Sequence, residues 1–220
     1  MKNLLVIVFF CLFISCSTEN DNTSSENINS KSIVSQEHLI SIENNTASKK
    51  YNDALVAYLN KNKYPDSVEE LSSMIQFILD QYVASNKAES ITYQQILRIN
   101  NKPINELSTL LGNSLLGMEA KVQLETFIQN LINLQGKDFK EISSYLVFFE
   151  EEVLKNTVLT DHEKESILAV STVSLYSFQN EAKRKDKDWE TSVGNRKTPP
   201  FFEPGQRSII SVIAVIQKII

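Results

Sequence analysis

The sequence predicts an all-α protein, a multi-helix bundle of about six or seven helices behind a disordered N-terminal tether. Three observations carry that expectation. Apolar residues recur at three- and four-residue steps through most of the chain, the period of a helix with one buried face. No segment sustains the period-two alternation of a strand, and no Asn-Gly or Asp-Gly pair offers a tight hairpin turn. Only 5 glycines are present, several of them where an apolar stripe breaks off.

The stripes follow in order. Residues 17–35 are rich in Ser, Asn, Thr and Glu, with only Ile28, Ile33 and Val34 apolar. Such a segment buries too little surface to offset its ordering entropy, so it reads as a tether, ~25–30 Å long by random-coil statistics. Tyr51 to Leu59 repeats apolar groups at helical steps, and that helix should stop near Lys63. Pro65 suits a first helical position, with Asp66 and Glu69 at the positive end of the helix dipole. Val68, Leu71, Ile75, Ile78, Leu79 and Tyr82 continue as one face. Thr92 with Gln95 forms a capping-box pair before Ile96 and Leu97. Pro103 can open a helix through Leu107, Leu110 and Leu111.

Val122, Leu124, Phe127, Ile128, Leu131 and Ile132 make the next stripe, ended by Gly136. Asp138 starts another through Ile142, Tyr145, Leu146, Phe149 and Val153. Thr160 with Glu163 is a second capping-box pair, leading into Ile167, Leu168, Val170, Val173, Leu175 and Phe178. Residues 189–207, with Trp189, Pro199, Pro200, Phe201, Phe202, Pro204 and Gly205, read as an irregular connection. The apolar end 208–220 keeps helical spacing at 209, 212, 213, 216, 219 and 220. It is too short to span a bilayer, for which ~20 residues are needed, and reads as a buried terminal helix.

The first residues differ in kind. Met1-Lys2-Asn3 precedes an apolar run from Leu4 to Ile14, which stops at Ser15-Cys16 before a polar stretch. The run has the length of a signal-peptide core and falls short of a membrane span. Phe13-Ile14-Ser15-Cys16 resembles the lipobox of bacterial lipoproteins processed by signal peptidase II, with Phe13 where the motif usually has Leu. The resemblance covers only about the first 22 residues. It implies cleavage between Ser15 and Cys16, removal of residues 1–15, and acylation of Cys16, so that residues 16–35 form a lipidated tether and 36–220 a single domain. Glu19 and Asp21 are similar to the export signal of surface-exposed Bacteroidota lipoproteins. Together these features imply a lipid anchor in the outer membrane, with the body periplasmic or facing the cell surface.

Composition narrows the chemistry. The chain carries a formal charge of −5, and loss of 1–15 would remove Lys2 and no acid. Nucleic-acid binding needs clustered cations, and the one basic cluster, Lys183-Arg184-Lys185 with Lys187, reads as a helix end. No nucleic-acid partner is expected. Both cysteines are accounted for, Cys11 by removal and Cys16 by acylation. The mature chain would then hold no free thiol, which excludes disulfides and cysteine nucleophiles.

Other catalytic signatures fail on inspection. Gly112-Asn113-Ser114-Leu115-Leu116-Gly117 lacks the Lys of a phosphate loop and the spacing of a nucleophile elbow, and reads as a turn between helices. His162-Glu163 has no second histidine four residues on, and His38 stands alone near the tether. No metal site and no cofactor are expected. Glu150-Glu151-Glu152 point about 100° apart on a helix and read as a solvated face.

The favoured reading is a membrane-anchored envelope lipoprotein whose helical body is a non-enzymatic binding or structural module. Its partners would be the bilayer through Cys16, and an envelope protein or extracellular ligand with Trp189, Phe201 and Phe202 as candidate contacts. One alternative is an exported hydrolase using carboxylates such as Glu106, Glu119, Asp138 or Glu141. Another is an envelope-active effector that releases 208–220 into a bilayer.

Overall fold

The structure, a computed structural model, describes residues 46–82, 90–191 and 201–220. Among these it contains eight helices and no strand, an all-α bundle with more helices than the stripes alone suggest. They are α1 (Thr46–Lys61), α2 (Val68–Tyr82), α3 (Tyr93–Asn101), α4 (Pro103–Asn113), α5 (Met118–Asn133), α6 (Phe139–Lys155), α7 (Asp161–Thr191) and α8 (Gln206–Ile216). The extra helix comes from the joint at Lys102, whose φ of −145° separates α3 from α4 with a single residue between them.

Most boundaries follow from local chemistry. Thr92 and Gln95 form a complete capping box at the start of α3, and Thr160 and Glu163 exchange the same reciprocal bonds before α7. Gly136, at φ 76°, adopts the left-handed conformation after α5 that a β-carbon would disfavour. Asp138 caps α6 in extended conformation. Pro65 behaves differently from expectation. α2 begins three residues later at Val68, with the Ser67 hydroxyl accepting the Glu70 N–H (3.2 Å) and the Glu70 carboxylate accepting the Asp66 N–H (2.7 Å). Ser67 is the cap. Pro65 is buried just outside the helix.

The helices alternate in direction between two ends of the bundle. At one end lie the α1–α2 turn, the α3–α4 joint, the α5–α6 turn and the start of α8. The other end carries the α4–α5 turn, the α6–α7 turn and the last residues of the chain. α1 runs alongside α7: the Ser48 hydroxyl faces the Ala169 carbonyl (3.4 Å), Tyr51 meets Ser177 (2.6 Å), and the Arg184 guanidinium donates to the Leu59 carbonyl (2.5 Å). Arg184 thus places a cation at a helix C-terminus, as expected of the basic cluster, but the helix is α1. The cluster is not at its own helix end, because α7 continues to Thr191.

α8 is the centre of the bundle. It packs against α2, α3, α4, α5 and α7, and every residue from Ser208 to Ile216 is buried. An apolar stripe on one face had suggested a helix laid on the surface of the core. The whole circumference is instead enclosed, as befits a helix that is apolar all round. The helix ends at Ile216, and Gln217–Ile219 form a turn that leaves Ile219 and Ile220 partly buried against the same core. Helical backbone also extends into both edges of the expected irregular connection, through Thr191 and from Gln206. The stretch between them, 192–200, lies outside the described residues.

Ile213 is fully buried at the middle of α8. Ile213→Ala should cost about 2–5 kcal/mol, the range for truncating a large aliphatic chain in a close-packed core. Urea denaturation of the variant provides the measurement, and a loss under ~1 kcal/mol would contradict the central position of α8.

Candidate functional site

Burying α8 creates a polar problem at its start. The first N–H groups of a helix have no partner within it. The N-cap residue is Gly205, which has no side chain to supply one. Glycine is required there on two counts. Its φ is 83°, and a β-carbon would approach the Phe178 ring to 3.1 Å. The missing acceptor comes from Glu181 on α7. One carboxylate oxygen accepts the Gly205 N–H (2.9 Å), and the other accepts the Ser208 N–H (3.3 Å) and the Ser208 hydroxyl (2.5 Å). A negative group at this position also complements the helix dipole.

Arg207 completes the cluster. Its Nε lies 3.6 Å from Glu181, and its Nη1 donates to the Pro65 carbonyl (2.9 Å) and to Asp66 (3.1 Å). The guanidinium sits over the Tyr64 ring at 4.5 Å, a cation–π contact. Burial and the nearby Glu181 carboxylate raise the Tyr64 hydroxyl well above its usual range, so it remains a neutral phenol. Tyr51, enclosed beside Ser177, is pushed up to about 12 by burial. Gln206 donates to Asn100 (2.9 Å) and accepts the Glu203 N–H (2.8 Å). These groups satisfy one another around a helix terminus. They form a structural clasp without a cavity for a substrate among them.

A second buried acid stands on α6. Glu150 is 2% exposed and accepts a hydrogen bond from the Ser171 hydroxyl of α7 (2.7 Å). It corrects the reading of Glu150-Glu151-Glu152 as a wholly solvated face. Spaced four residues after Leu146 and three before Val153, Glu150 lies on the stripe that faces α7. Desolvation raises its carboxyl to about 7, a shift the Ser171 bond only partly offsets.

The expected site residues are not brought together. Ser15, Cys16 and His38 lie outside the described residues. Trp189 belongs to the backbone of α7, and its side chain also falls outside them. Phe202 is 1% exposed and packs edge-on to Phe201, with Arg207 over its ring at 5.8 Å. It therefore seals the core and offers no surface to a partner, which corrects its assignment as a contact. Phe201 remains exposed. Glu106 pairs with Arg98 (3.2 Å), and Glu119 accepts from Gln123 (3.1 Å) and Asn156 (3.3 Å). Asp138 is the α6 cap, with Glu141 in the following turn. His162 is exposed in the first turn of α7.

The Gly112–Gly117 stretch is the turn from α4 to α5. Its Gly117 N–H donates to the Glu163 carboxylate (2.8 Å), the same side chain that closes the α7 capping box. These bonds hold the Glu163 carboxyl below its usual range. A shallow, open groove of about 460 Å3 runs beside Ser72, Gln76, Phe77 and Asp80. Its polar groups are largely engaged with each other: Gln76 donates to Asp80 (2.7 Å) and accepts the Ile91 N–H (2.7 Å). Among the described residues no three His, Cys, Asp or Glu side chains gather as metal ligands, and no helix is long and apolar enough to cross a membrane.

The fold and these clusters define a helical bundle organised around a capped central helix. Comparison with protein-family models, with curated proteins and with solved structures found no match to this chain.

Two outcomes test the buried acids. The folded state holds the Glu150 proton up to about pH 7, whereas an unfolded chain releases it near 4.5. The stabilisation by the neutral acid is therefore complete below ~4.5 and is lost as pH rises towards 7, by on the order of 3 kcal/mol. Glu150→Gln, measured by urea denaturation across this range, should flatten that loss; an unchanged pH profile would contradict it. Glu181→Ala should cost about 3–5 kcal/mol by leaving Arg207 and the α8 amides uncompensated. Thermal unfolding close to that of the unsubstituted chain would show that the clasp contributes little.

Proposed function

We propose that the protein is a membrane-anchored envelope lipoprotein, acylated at Cys16, whose helical body is a non-enzymatic binding or structural module. The observation that carries this reading is the junction at Ser15-Cys16. An apolar run of signal length ends there on a small residue and a cysteine, and a polar segment follows at once. Several acyl chains on one cysteine give stable anchoring, which a single chain does not.

The architecture of the body favours a module over an enzyme. Its two buried acids have structural partners: Glu181 holds the start of α8, and Glu150 bonds to Ser171. The apolar C-terminal segment, which an effector would have to release, is packed against five helices. Withdrawing it would dismantle the core, so the effector alternative loses its motivation.

Mass spectrometry of the native N-terminus tests the anchor directly. The expected product begins at Cys16, carries fatty acyl groups, and lacks residues 1–15. Surface proteolysis of intact cells then reports which side of the outer membrane the body faces. A cytosolic polypeptide that retains Met1 and a free thiol at Cys16 would overturn the proposal.

A further inference from the structure

We propose that the end of the bundle formed by the α4–α5 and α6–α7 turns rests against the lipid bilayer, with Leu115, Met118 and Val158 as its points of contact. The inference extends the lipid-anchored reading and depends on it.

The apolar surface is concentrated there. Five of the nine large apolar side chains exposed among the described residues are at this end: Leu115, Met118, Val122, Leu154 and Val158. Leu115 is 101% exposed, Met118 78% and Val158 73%, so these three project from the turns with little cover from the body. The two turns are held side by side. The Gly117 N–H donates to Glu163 (2.8 Å), and Asn156 donates to Glu119 (3.3 Å), tying the start of α5 to the loop that carries Val158. Aliphatic tips fixed on a bonded platform can enter an interface without unfolding anything behind them.

The path of the chain selects the bilayer as the occupant. α1 starts beside the first third of α7, where Ser48 meets Ala169, and the proposed anchor at Cys16 precedes Thr46 by only about 30 residues, a coil of ~25–30 Å. The distance along α7 from Asp161 to Glu181 is itself ~30 Å. A leash of that reach lets the turn end meet the membrane unstretched, whereas the Arg207 end would have to be turned over and drawn down. That far end is also polar, presenting Asp66, Glu203 and Gln206, with Phe201 as its one large exposed apolar side chain among the described residues.

Charge at the turn end is mixed. Lys121 donates to the Ser114 carbonyl (3.1 Å) and Lys164 to the Leu154 carbonyl (3.2 Å), beside Glu119, Asp161 and Glu163. Contact should therefore come from the aliphatic tips and change little with salt.

The lack of other thiols in an acylated mature chain permits a direct test. Leu115→Cys, Val158→Cys, Phe148→Cys and Phe201→Cys are each made in the full-length protein, purified in acylated form, and labelled with an environment-sensitive fluorophore. Each is reconstituted into phosphatidylethanolamine–phosphatidylglycerol vesicles containing a nitroxide-bearing lipid. Probes at 115 and 158 should be quenched several-fold more than those at 148 and 201, with little change at ~1 M salt, where screening falls to ~3 Å. Equal or absent quenching at the four positions, with acylation verified by mass in the same sample, would overturn the inference and leave the anchor intact. Concentration-dependent self-quenching at 115 and 158 without lipid quenching would assign the surface to a second copy and also overturn it. An unacylated mass would remove the anchor, and this inference with it.

Discussion

The structure depends on enclosing α8, because a helix that is apolar on every side can exist only where other helices cover it completely. Five neighbours do so. Enclosure removes water from the start of that helix as well as from its sides, and amide groups left bare there would each cost on the order of 1–3 kcal/mol. Gly205 lets the chain turn tightly into α8 beneath Phe178 but gives up the cap a Ser or Asp would have provided. Glu181 restores it from another helix. The carboxylate is kept in place by the amides it satisfies, by Ser208 and by Arg207, and Arg207 in turn joins the cluster to the α1–α2 turn through Pro65 and Asp66. One acid thus links the terminal segment to elements separated from it by more than a hundred residues.

Buried polarity elsewhere follows a gentler rule. Ser174 and Ser177 return their hydroxyls to carbonyls one turn back on α7, and Ser171 donates to Glu150. Small hydroxyls let α1 and α6 approach α7 closely without leaving donors unpaired. Glu150 is held with its proton for much of the acidic range, since its neighbour offers a hydroxyl and not a full charge. Glu181 and Glu150 are both buried carboxylates, yet only Glu181 has a guanidinium and two backbone amides in attendance. Their difference comes from their surroundings.

Much of the fold was legible in the sequence because its stripes and caps are local. The pairs Thr92–Gln95 and Thr160–Glu163 determine their helix starts within four residues, and Gly136 determines a stop within one turn. What escaped was decided by distant partners. Adjacent Phe201 and Phe202 look alike as residues, but only Phe202 turns inward beneath Arg207. Glu150 carried a readable signal, its i+4 spacing from Leu146, which the run of three glutamates concealed. Pro65 resembled a helix start, although Ser67-Val68-Glu69-Glu70 spelled out the cap two residues later. The clasp at Glu181 left no local trace, since no periodicity connects residue 181 to residue 205. The lipobox resemblance lies in residues 13–16, apart from every described element, so the helical fold neither supports nor weakens it.

The two ends of the bundle differ in how they are closed, and this difference locates the surface available for binding. At the α8 start, Arg207, Glu181, Gln206 and Asn100 bind turns from several helices together, so most polar side chains there are occupied in holding the structure. At the opposite end the turns are joined by a few bonds through Glu163 and Asn156, while their aliphatic tips are left uncovered. Exposed single aliphatic residues are ordinary on any protein surface; a group of them on adjacent, bonded turns is less so. Such turns do not contribute to the core, because Leu116, one residue from Leu115, already fills that role at 7% exposure. The bundle would therefore retain its packing if Leu115 or Val158 were made polar, and the apolar character of those positions needs a cause outside the folded body.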